Sequence, residues 1–200
     1  MRVWLTGSLI PDGPGTDRHY RCVVTTSSLR PVLVVLRGNS GSGKSTVAQC
    51  VQKRFAAGEC ALLEQDYFRR TVLREGDVAG ALHIDLMEQA VSTCLKRGLV
   101  VIVEGILNAT RYESMLKQLS REMTGTSLFY AYDLTLTETL SRHVTRAKSV
   151  SFGSAEMKDW YHGWQPLAFV SEARIDSSWA EKATIDRISS DIAAARTTGL

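Results

Sequence analysis

The feature that most constrains this chain is a hydrophobic run that leads into a glycine- and serine-rich turn. Residues 32–36 are largely β-branched and of strand length, and residues 38–46 fit the pattern G-x-x-x-x-G-K-S/T. Hydrophobic residues then recur at helical spacing at Val47, Ala48 and Val51. A strand, a glycine-rich turn and a helix in this order predict a phosphate-binding loop, in which backbone N–H groups and the helix N-terminus surround phosphate oxygens.

Two side chains of this loop have individual predicted roles. Lys44 is expected to reach the β- and γ-phosphates of a nucleotide, and the Ser45 hydroxyl is expected to hold Mg²⁺. A serine–glycine linker that matches by chance is the alternative, but the strand before the motif and the helix after it argue against a linker. The predicted nucleotide-binding residues of the loop are Gly38, Asn39, Ser40, Gly41, Ser42, Gly43, Lys44, Ser45 and Thr46.

The composition indicates an ordinary globular protein. Of its 200 residues, 44% are hydrophobic and 22% are charged, which suits one domain with a sizeable core. The net charge of +3 is too small, and the basic residues too scattered, to indicate nucleic-acid binding. The four cysteines show neither metal-binding nor disulfide spacing. No hydrophobic run is long enough to cross a membrane and the N-terminus lacks a signal-peptide pattern, so a cytoplasmic location is expected.

Residues 1–30 differ in character from the rest of the chain. Prolines and glycines in residues 11–17 interrupt any regular pattern, and residues 25–28 are polar. We expect this segment to be an extension outside the core, with residues 31–200 forming the domain. A short strand or docking arm at residues 1–5 is the alternative.

A carboxylate and two arginines follow a short hydrophobic strand at residues 61–63. The carboxyl ends of parallel strands face the ligand crevice, so Asp66 is expected to point towards the transferred phosphoryl group. We predict that Asp66 is the base that accepts the proton of an attacking hydroxyl. Tyr67, Arg69 and Arg70 are predicted to contact an anionic or hydroxyl-rich acceptor. A helix N-cap is the alternative role for Asp66.

The segment between this strand and the next is interpreted as scaffold. Hydrophobic residues recur at helical spacing from Ile84 to Leu95, and Gly98 ends the helix. Residues 77–80 fit the D-x-x-G pattern of GTPases, but no buried strand precedes them and the chain has no N-K-x-D. We expect His83 to be a surface residue at the start of the helix rather than a catalytic one, although its segment is also able to line an acceptor pocket.

The strongest strand pattern is the continuous hydrophobic run at residues 99–103, which ends in an acid and a glycine. Glu104 therefore stands at the Walker-B position, where many proteins with this loop have aspartate. It is predicted to orient Mg²⁺ through a water molecule, and a strand-end acid that caps the next turn is the alternative. Asn108 and Tyr112 follow at the same edge of the sheet and are predicted to line the substrate pocket.

Two arginines follow the fourth predicted strand, at residues 127–132. A capping box at residues 135–138 begins a helix that carries Arg142 and Arg146. Because they are four residues apart, these arginines share one helical face, which suits a lid that brings guanidinium groups onto phosphates. A solvated basic face is the alternative.

A weak final strand is predicted at residues 172–176, before a closing helix with hydrophobic residues from Ala183 to Ile192. The loop that joins them is expected to lie beside the phosphate-binding loop. Asp176 and Ser177 are therefore predicted to contact the nucleotide, at the place where its base would rest.

The motifs of this chain resemble, in their order and spacing, those of the P-loop small-molecule kinases. They are L-R-G-N-S-G-S-G-K-S-T, L-E-Q-D-Y-F-R-R, V-I-V-E-G-I-L, the arginine helix and I-D-S-S. This group includes chloramphenicol phosphotransferase, zeta-toxin-like kinases and gluconate-type kinases. The resemblance covers the chain from Pro31 to the C-terminus. It implies a three-layer α/β sandwich with a five-stranded parallel sheet of order 2-3-1-4-5, helices on both faces and a small helical lid. It also implies that Asp66 activates the acceptor hydroxyl and that Arg142 or Arg146 is the lid arginine.

These observations predict an ATP- and Mg²⁺-dependent phosphotransferase that acts on a hydroxyl of a small molecule. The predicted catalytic residues are Asp66, Lys44, Arg142 and Arg146. A nucleoside or nucleotide kinase is one alternative, and a module in which ATP only stabilises a conformation is another. The strand-end acid and the downstream arginines favour catalysis, because a module that only binds ATP needs neither. We expect a monomer or homodimer with a small-molecule acceptor and without nucleic-acid or membrane partners.

Overall fold

A five-stranded parallel sheet forms the centre of the molecule. The computed structural model describes residues 30–144 and 154–197. The strands are β1 (Val32–Gly38), β2 (Cys60–Glu64), β3 (Val100–Gly105), β4 (Thr126–Tyr132) and β5 (Ala173–Ile175). They lie in the order β2-β3-β1-β4-β5, with every pair parallel, which confirms the predicted order.

Helices surround this sheet. The described α-helices are α1 (Lys44–Gln52), α2 (Leu82–Lys96), α3 (Ala109–Glu122), α4 (Leu136–Val144), α5 (Ser154–Asp159) and α6 (Glu181–Thr197). A π-helix (Tyr67–Leu73) follows β2, and the sequence pattern does not predict it. None of the described helices is long and hydrophobic enough to cross a membrane.

Both faces of the central strands are buried, because alternate side chains of β1 enter different cores. Val32, Val34 and Leu36 pack with hydrophobic residues of α1 and α6. Leu33 and Val35 pack instead with residues of α2 and α3. This arrangement explains why β1 and β3 are continuous hydrophobic runs, since a parallel sheet covered on both faces has no polar side. The three predicted layers are present.

The boundaries of the elements agree with the sequence patterns to within one or two residues at β2, β3, β4 and β5. The prediction for the N-terminal extension, residues 1–30, falls on residues that lie outside the described part of the chain, apart from Arg30. At the junction, Thr126 N donates to the Pro31 carbonyl at 3.4 Å, so β4 contacts the chain directly ahead of β1.

Candidate active site

The loop between β1 and α1 requires glycine at two positions. Gly41 and Gly43 have φ angles of 80° and 105°, a region that residues with a Cβ rarely adopt. A Cβ on Gly41 would also lie 2.7 Å from the carbonyl oxygen of Thr139, near the start of α4, which carries Arg142. Gly43 is the N-cap of α1 and has no side chain to cap it, so the first N–H groups of α1 can bind phosphate oxygens.

The two residues after Gly43 meet the acid at the end of β3. The Ser45 Oγ donates to both carboxylate oxygens of Glu104, at 3.1 and 3.2 Å. Only 4% of Glu104 is exposed. Burial raises the pKa of Glu104, and the Lys44 charge and the Ser45 hydroxyl offset this effect only in part. The Lys44 Nζ donates to the Asn39 carbonyl at 3.2 Å, across the loop.

Hydroxyl and carboxylate oxygens are the ligands that Mg²⁺ prefers, so Ser45 and Glu104 fit the metal that the sequence predicts. Among the described residues there is no group of three or more His, Cys, Asp or Glu side chains that could hold a metal ion. Two protein ligands still suit Mg²⁺, since this ion keeps several waters and completes its shell with substrate phosphates.

The predicted base lies in the first turn after β2. The side chain of Asp66 is 63% exposed, and its Oδ1 accepts from Arg69 Nη2 at 2.8 Å and from Arg70 Nε at 3.2 Å. The side chain makes no capping hydrogen bond, so the alternative role as a helix N-cap is not realised. Burial raises the pKa of this carboxyl, but the Arg69 hydrogen bond and the charges of Arg70 and Lys44 outweigh burial and lower the pKa.

One small cavity joins these groups at the carboxyl ends of β1, β2 and β3. Its volume is about 50 Å³. The guanidinium of Arg70 lies 5.1 Å from the centre of the Trp160 ring, so the residue after α5 covers this side of the cavity. The lining residues are Ser40, Lys44, Ser45, Asp66, Arg70, Glu104, Gly105, Ile106 and Trp160.

A larger cavity of about 690 Å³ lies on the other side of the loop. The Arg142 Nη1 donates to the Ser42 carbonyl at 2.9 Å and places this guanidinium at the boundary between loop and cavity. The Asp176 Oδ1 accepts from Ser178 N and Oγ, so Asp176 shapes the loop before α6. Arg146 lies outside the described residues. The cavity is lined by Ser42, Gly43, Thr46, Val47, Tyr132, Arg142, Ser177, Ser178, Trp179, Ala180, Glu181 and Thr184.

The remaining predicted substrate-binding residues differ in their surroundings. Tyr67 is 55% exposed on the π-helix, and Arg69 holds Asp66 without lining the small cavity. Asn108 caps α3, because its Oδ1 accepts from the N–H and hydroxyl of Thr110. It also lines a narrow cavity of about 20 Å³ beside the ends of β1 and β4.

Tyr112 and His83 occupy places that the sequence does not predict. Both are fully buried, with 0% exposed, so Tyr112 does not line the crevice and His83 is not a surface residue. The reason is that their polar atoms meet each other: His83 Nε2 lies 2.6 Å from the Tyr112 hydroxyl. A histidine at a helix start is ordinarily exposed unless partners from elsewhere in the fold satisfy its ring.

Two residues that shape the site make contacts that the sequence does not predict, although Asn39 itself is among the predicted nucleotide-binding residues. Asn39 binds the segment after α5 with both side-chain atoms: Nδ2 donates to the Gly163 carbonyl at 3.1 Å, and Oδ1 accepts from His162 N at 2.9 Å. Trp160 belongs to an aromatic-rich segment that is more typical of a core cover than of a ligand site. It nevertheless lines the cavity and contacts Arg70.

Sheet order, phosphate-binding loop and strand-end acids together define a P-loop kinase fold. The family model of Zeta toxin matches residues 17–147, which is more than half of the chain. The chain therefore belongs to the Zeta toxin family, and the resemblance to P-loop small-molecule kinases is confirmed. No protein of curated function matches the sequence at a significant level.

Solved structures with the same fold carry the names of kinases. The APS kinase of Mycobacterium tuberculosis has a TM-score of 0.61 at 15% identity, over 83% of this chain and 99% of that chain. A gluconokinase of Sinorhizobium meliloti has a TM-score of 0.58 at 16% identity, over 83% and 94%. A sugar kinase of Janibacter sp. has a TM-score of 0.58 at 19% identity, over 85% and 99%. At these identities the similarity shows the fold.

Proposed function

We propose that the protein is an ATP- and Mg²⁺-dependent phosphotransferase that moves the γ-phosphoryl group to a hydroxyl of a small molecule. One observation carries the proposal: Lys44, Ser45, Glu104 and Asp66 line the same small cavity at the carboxyl ends of three strands. A phosphate-binding lysine, hard oxygen ligands for a metal and a nearby carboxylate are the parts that phosphoryl transfer requires. A module that only binds a nucleotide has no use for Asp66 at this position.

Each residue of the cavity has a defined task. The N–H groups of the loop and the Lys44 ammonium hold the donor phosphates, and Ser45 and Glu104 supply oxygen ligands for Mg²⁺. A Mg²⁺ ion held by these residues would offset the negative charge of the phosphates. Asp66 accepts the proton of the acceptor hydroxyl at the oxygen that its two arginine contacts leave open. Catalysis is then mainly positioning and charge stabilisation.

Arg142 supplies charge from the other side of the loop. Its Nη1 donates to the Ser42 carbonyl at 2.9 Å, which holds the guanidinium beside the loop that would bind the phosphates. Arg146, four residues further along the same helix pattern, is proposed as a second lid arginine. Kinase names among the solved structures with this fold support a phosphotransfer reaction.

The proposal is tested with a panel of hydroxyl-bearing compounds, isotopically labelled ATP and Mg²⁺, with products identified by mass. Wild-type protein should phosphorylate one or a few acceptors, and Lys44→Ala should not, because the charge across the β- and γ-phosphates is removed. Lys182→Ala is the matched control, since Lys182 is an exposed lysine whose amine pairs with Asp186 on α6. Tight ATP binding without transfer to any acceptor would favour the non-catalytic module. Undiminished transfer by Lys44→Ala would contradict the proposal.

A further inference from the structure

A buried polar cluster lies directly behind the two candidate acids. We call it the Tyr112 cluster. Its central side chains are fully or almost fully buried, with exposed fractions of 0% for Tyr112 and His83 and 2% for Gln65. No step of the proposed reaction uses it. The cluster consists of Gln65, Glu75, Asp77, His83, Arg111 and Tyr112.

Gln65 connects two parts of the backbone. Its Oε1 accepts from Ile106 N at 3.0 Å and from Leu107 N at 3.4 Å, and its Nε2 donates to the Tyr112 hydroxyl at 2.5 Å. Because a backbone N–H can only donate, these contacts fix which way the amide points. The Gln65 side chain therefore ties the end of β2 to the turn between β3 and α3.

These hydrogen bonds of Gln65 connect the two segments that carry the candidate acids. Gln65 directly precedes Asp66, and Ile106 stands two residues after Glu104. The contact is tight, since a Cβ on Gly105 would lie 2.5 Å from the Gln65 Oε1. A shift of the Gln65 amide would therefore change the position of the segment that carries Asp66 relative to the segment that carries Glu104.

The Tyr112 hydroxyl is what holds the amide. Besides Gln65, it meets Asp77 Oδ1 at 2.6 Å and His83 Nε2 at 2.6 Å, so its one proton and two lone pairs are all used. On its other side, His83 Nδ1 lies 2.7 Å from Glu75 Oε1. Each polar atom at the centre of the cluster therefore has a partner within hydrogen-bond distance.

His83 and Arg111 are the partners of the two carboxylates of the cluster. The Arg111 Nη1 donates to Asp77 Oδ2 at 2.8 Å, so Glu75 and Asp77 each have a hydrogen-bonded partner that is able to carry positive charge. Burial, together with the hydrogen bond to Asp77, raises the pKa of Tyr112, which keeps the hydroxyl protonated. A buried cluster whose groups are all satisfied is rigid and has a single arrangement.

We propose that Tyr112 is a positioning residue, which locks Gln65 across the β3–α3 turn and so sets the spacing between Asp66 and Glu104. The inference rests on the proposed phosphotransfer function. A displacement of about 1 Å between reacting groups costs about 10²-fold in rate, so loss of this lock lowers turnover even though Tyr112 touches neither ATP nor acceptor.

The test is Tyr112→Phe, which removes the hydroxyl and keeps the ring. The chain offers a matched control in Tyr130→Phe: the Tyr130 hydroxyl donates to Asp191 at 2.7 Å, and Tyr130 is 3% exposed. Tyr130 packs in the core on the opposite face of the sheet. Both variants thus lose a buried tyrosine–aspartate hydrogen bond, but only one of them lies behind the acids.

Two readouts separate positioning from general stability. In Tyr112→Phe, kcat should fall by about 10–100-fold while KM for ATP changes less than about twofold. Amide exchange at Ile106 and Leu107, followed by NMR, should become at least about tenfold faster, because the Gln65 acceptor is released. Tyr130→Phe should alter neither quantity, although both variants lower Tm by a similar amount.

Unchanged exchange at Ile106 and Leu107, or unchanged kcat with faster exchange, would overturn the proposal. His83→Leu is a second variant, which removes the ring nitrogen that contacts the hydroxyl, and it should show the same pattern. Failure of both variants to fold would assign the cluster a purely structural role, and this result would also overturn the proposal that Tyr112 is a positioning residue. If wild-type protein transfers no phosphoryl group, the proposed function has failed, and amide exchange still decides whether Tyr112 holds the turn.

Discussion

Replacing Asp66 with asparagine removes one function of this side chain and keeps the others. Arg69 and Arg70 both donate to Oδ1, and among the described residues no hydrogen bond reaches Oδ2. An asparagine oxygen can accept from the same guanidinium groups. The amide nitrogen that replaces Oδ2 cannot take a proton from an acceptor hydroxyl.

The surroundings of Asp66 indicate how far this substitution should lower Tm and how far it should lower kcat. Asp66 is 63% exposed, and exposed ion pairs contribute about 0–1 kcal/mol, so Tm should fall by a few degrees at most. General-base catalysis is typically worth about 10²–10⁴-fold. The pKa of Asp66 lies below its usual value, because the adjacent arginines and Lys44 outweigh the effect of burial, which makes the carboxylate a weak base. We therefore expect a loss of kcat near the lower limit, about 10²-fold or about 2.7 kcal/mol.

The depressed pKa of Asp66 also predicts how turnover depends on pH. A lowered pKa favours the ionised form, and this form is lost only as the pH falls below the usual range of aspartate. Protonation of Asp66 should therefore not limit turnover between pH 5 and pH 8, because this interval lies wholly above the range in which the carboxyl titrates. An Asp66→Asn variant should consequently show the same fold-loss of kcat throughout this interval.

The assay measures kcat, ATP affinity, Mg²⁺ dependence and Tm for Asp66→Asn. Asp186→Asn is the matched control, because Asp186 is 43% exposed and accepts from Arg54 and Lys182, both at 2.6 Å, on the surface of α6. It should keep full turnover. Unchanged turnover of Asp66→Asn would refute the assignment as base, and rescue by high Mg²⁺ would indicate a metal ligand instead.

Three further variants test other parts of the site. Arg142→Ala should lower kcat more than ATP affinity, since a lid arginine acts mainly in the closed state, and equal losses would indicate ground-state binding. Glu104→Gln should raise the Mg²⁺ concentration for half-maximal turnover by about 10–100-fold, and an unchanged Mg²⁺ titration would exclude a metal role. Deleting residues 1–30 should leave Tm and ATP binding nearly unchanged, and a large fall in Tm would show that the segment is docked on the domain.

The sequence predicts best those parts of the fold whose signals are local. β1 and β3 are buried on both faces, so their runs are continuously hydrophobic, and the phosphate-binding motif follows β1 directly. The sheet order follows from the resemblance that the motifs carry. The position of Glu104 is likewise local, because it is the first acid after an unmistakable strand.

Other features depend on contacts between distant parts of the chain. Tyr112 is 47 residues from Gln65 and 29 from His83, and no pattern along the chain shows that these polar groups meet. The π-helix is not predicted for a different reason. It has no buried residue, so it lacks the hydrophobic periodicity by which helices are recognised. Its geometry nonetheless places Arg69 and Arg70 on the same oxygen of Asp66.

The two strand-end acids are similar in sequence, and their surroundings give them opposite properties. Glu104 is 4% exposed and burial raises its pKa, so its negative charge is unfavourable until a cation joins Lys44 beside it. Asp66 is largely exposed, and two arginines hold it ionised. Environments that shift the pKa values of two carboxyl groups in opposite directions give the two groups different roles. For the proposed reaction, this difference suits Asp66, which stays ionised, to the role of base, and it suits Glu104 to the role of a ligand whose charge a bound Mg²⁺ would stabilise.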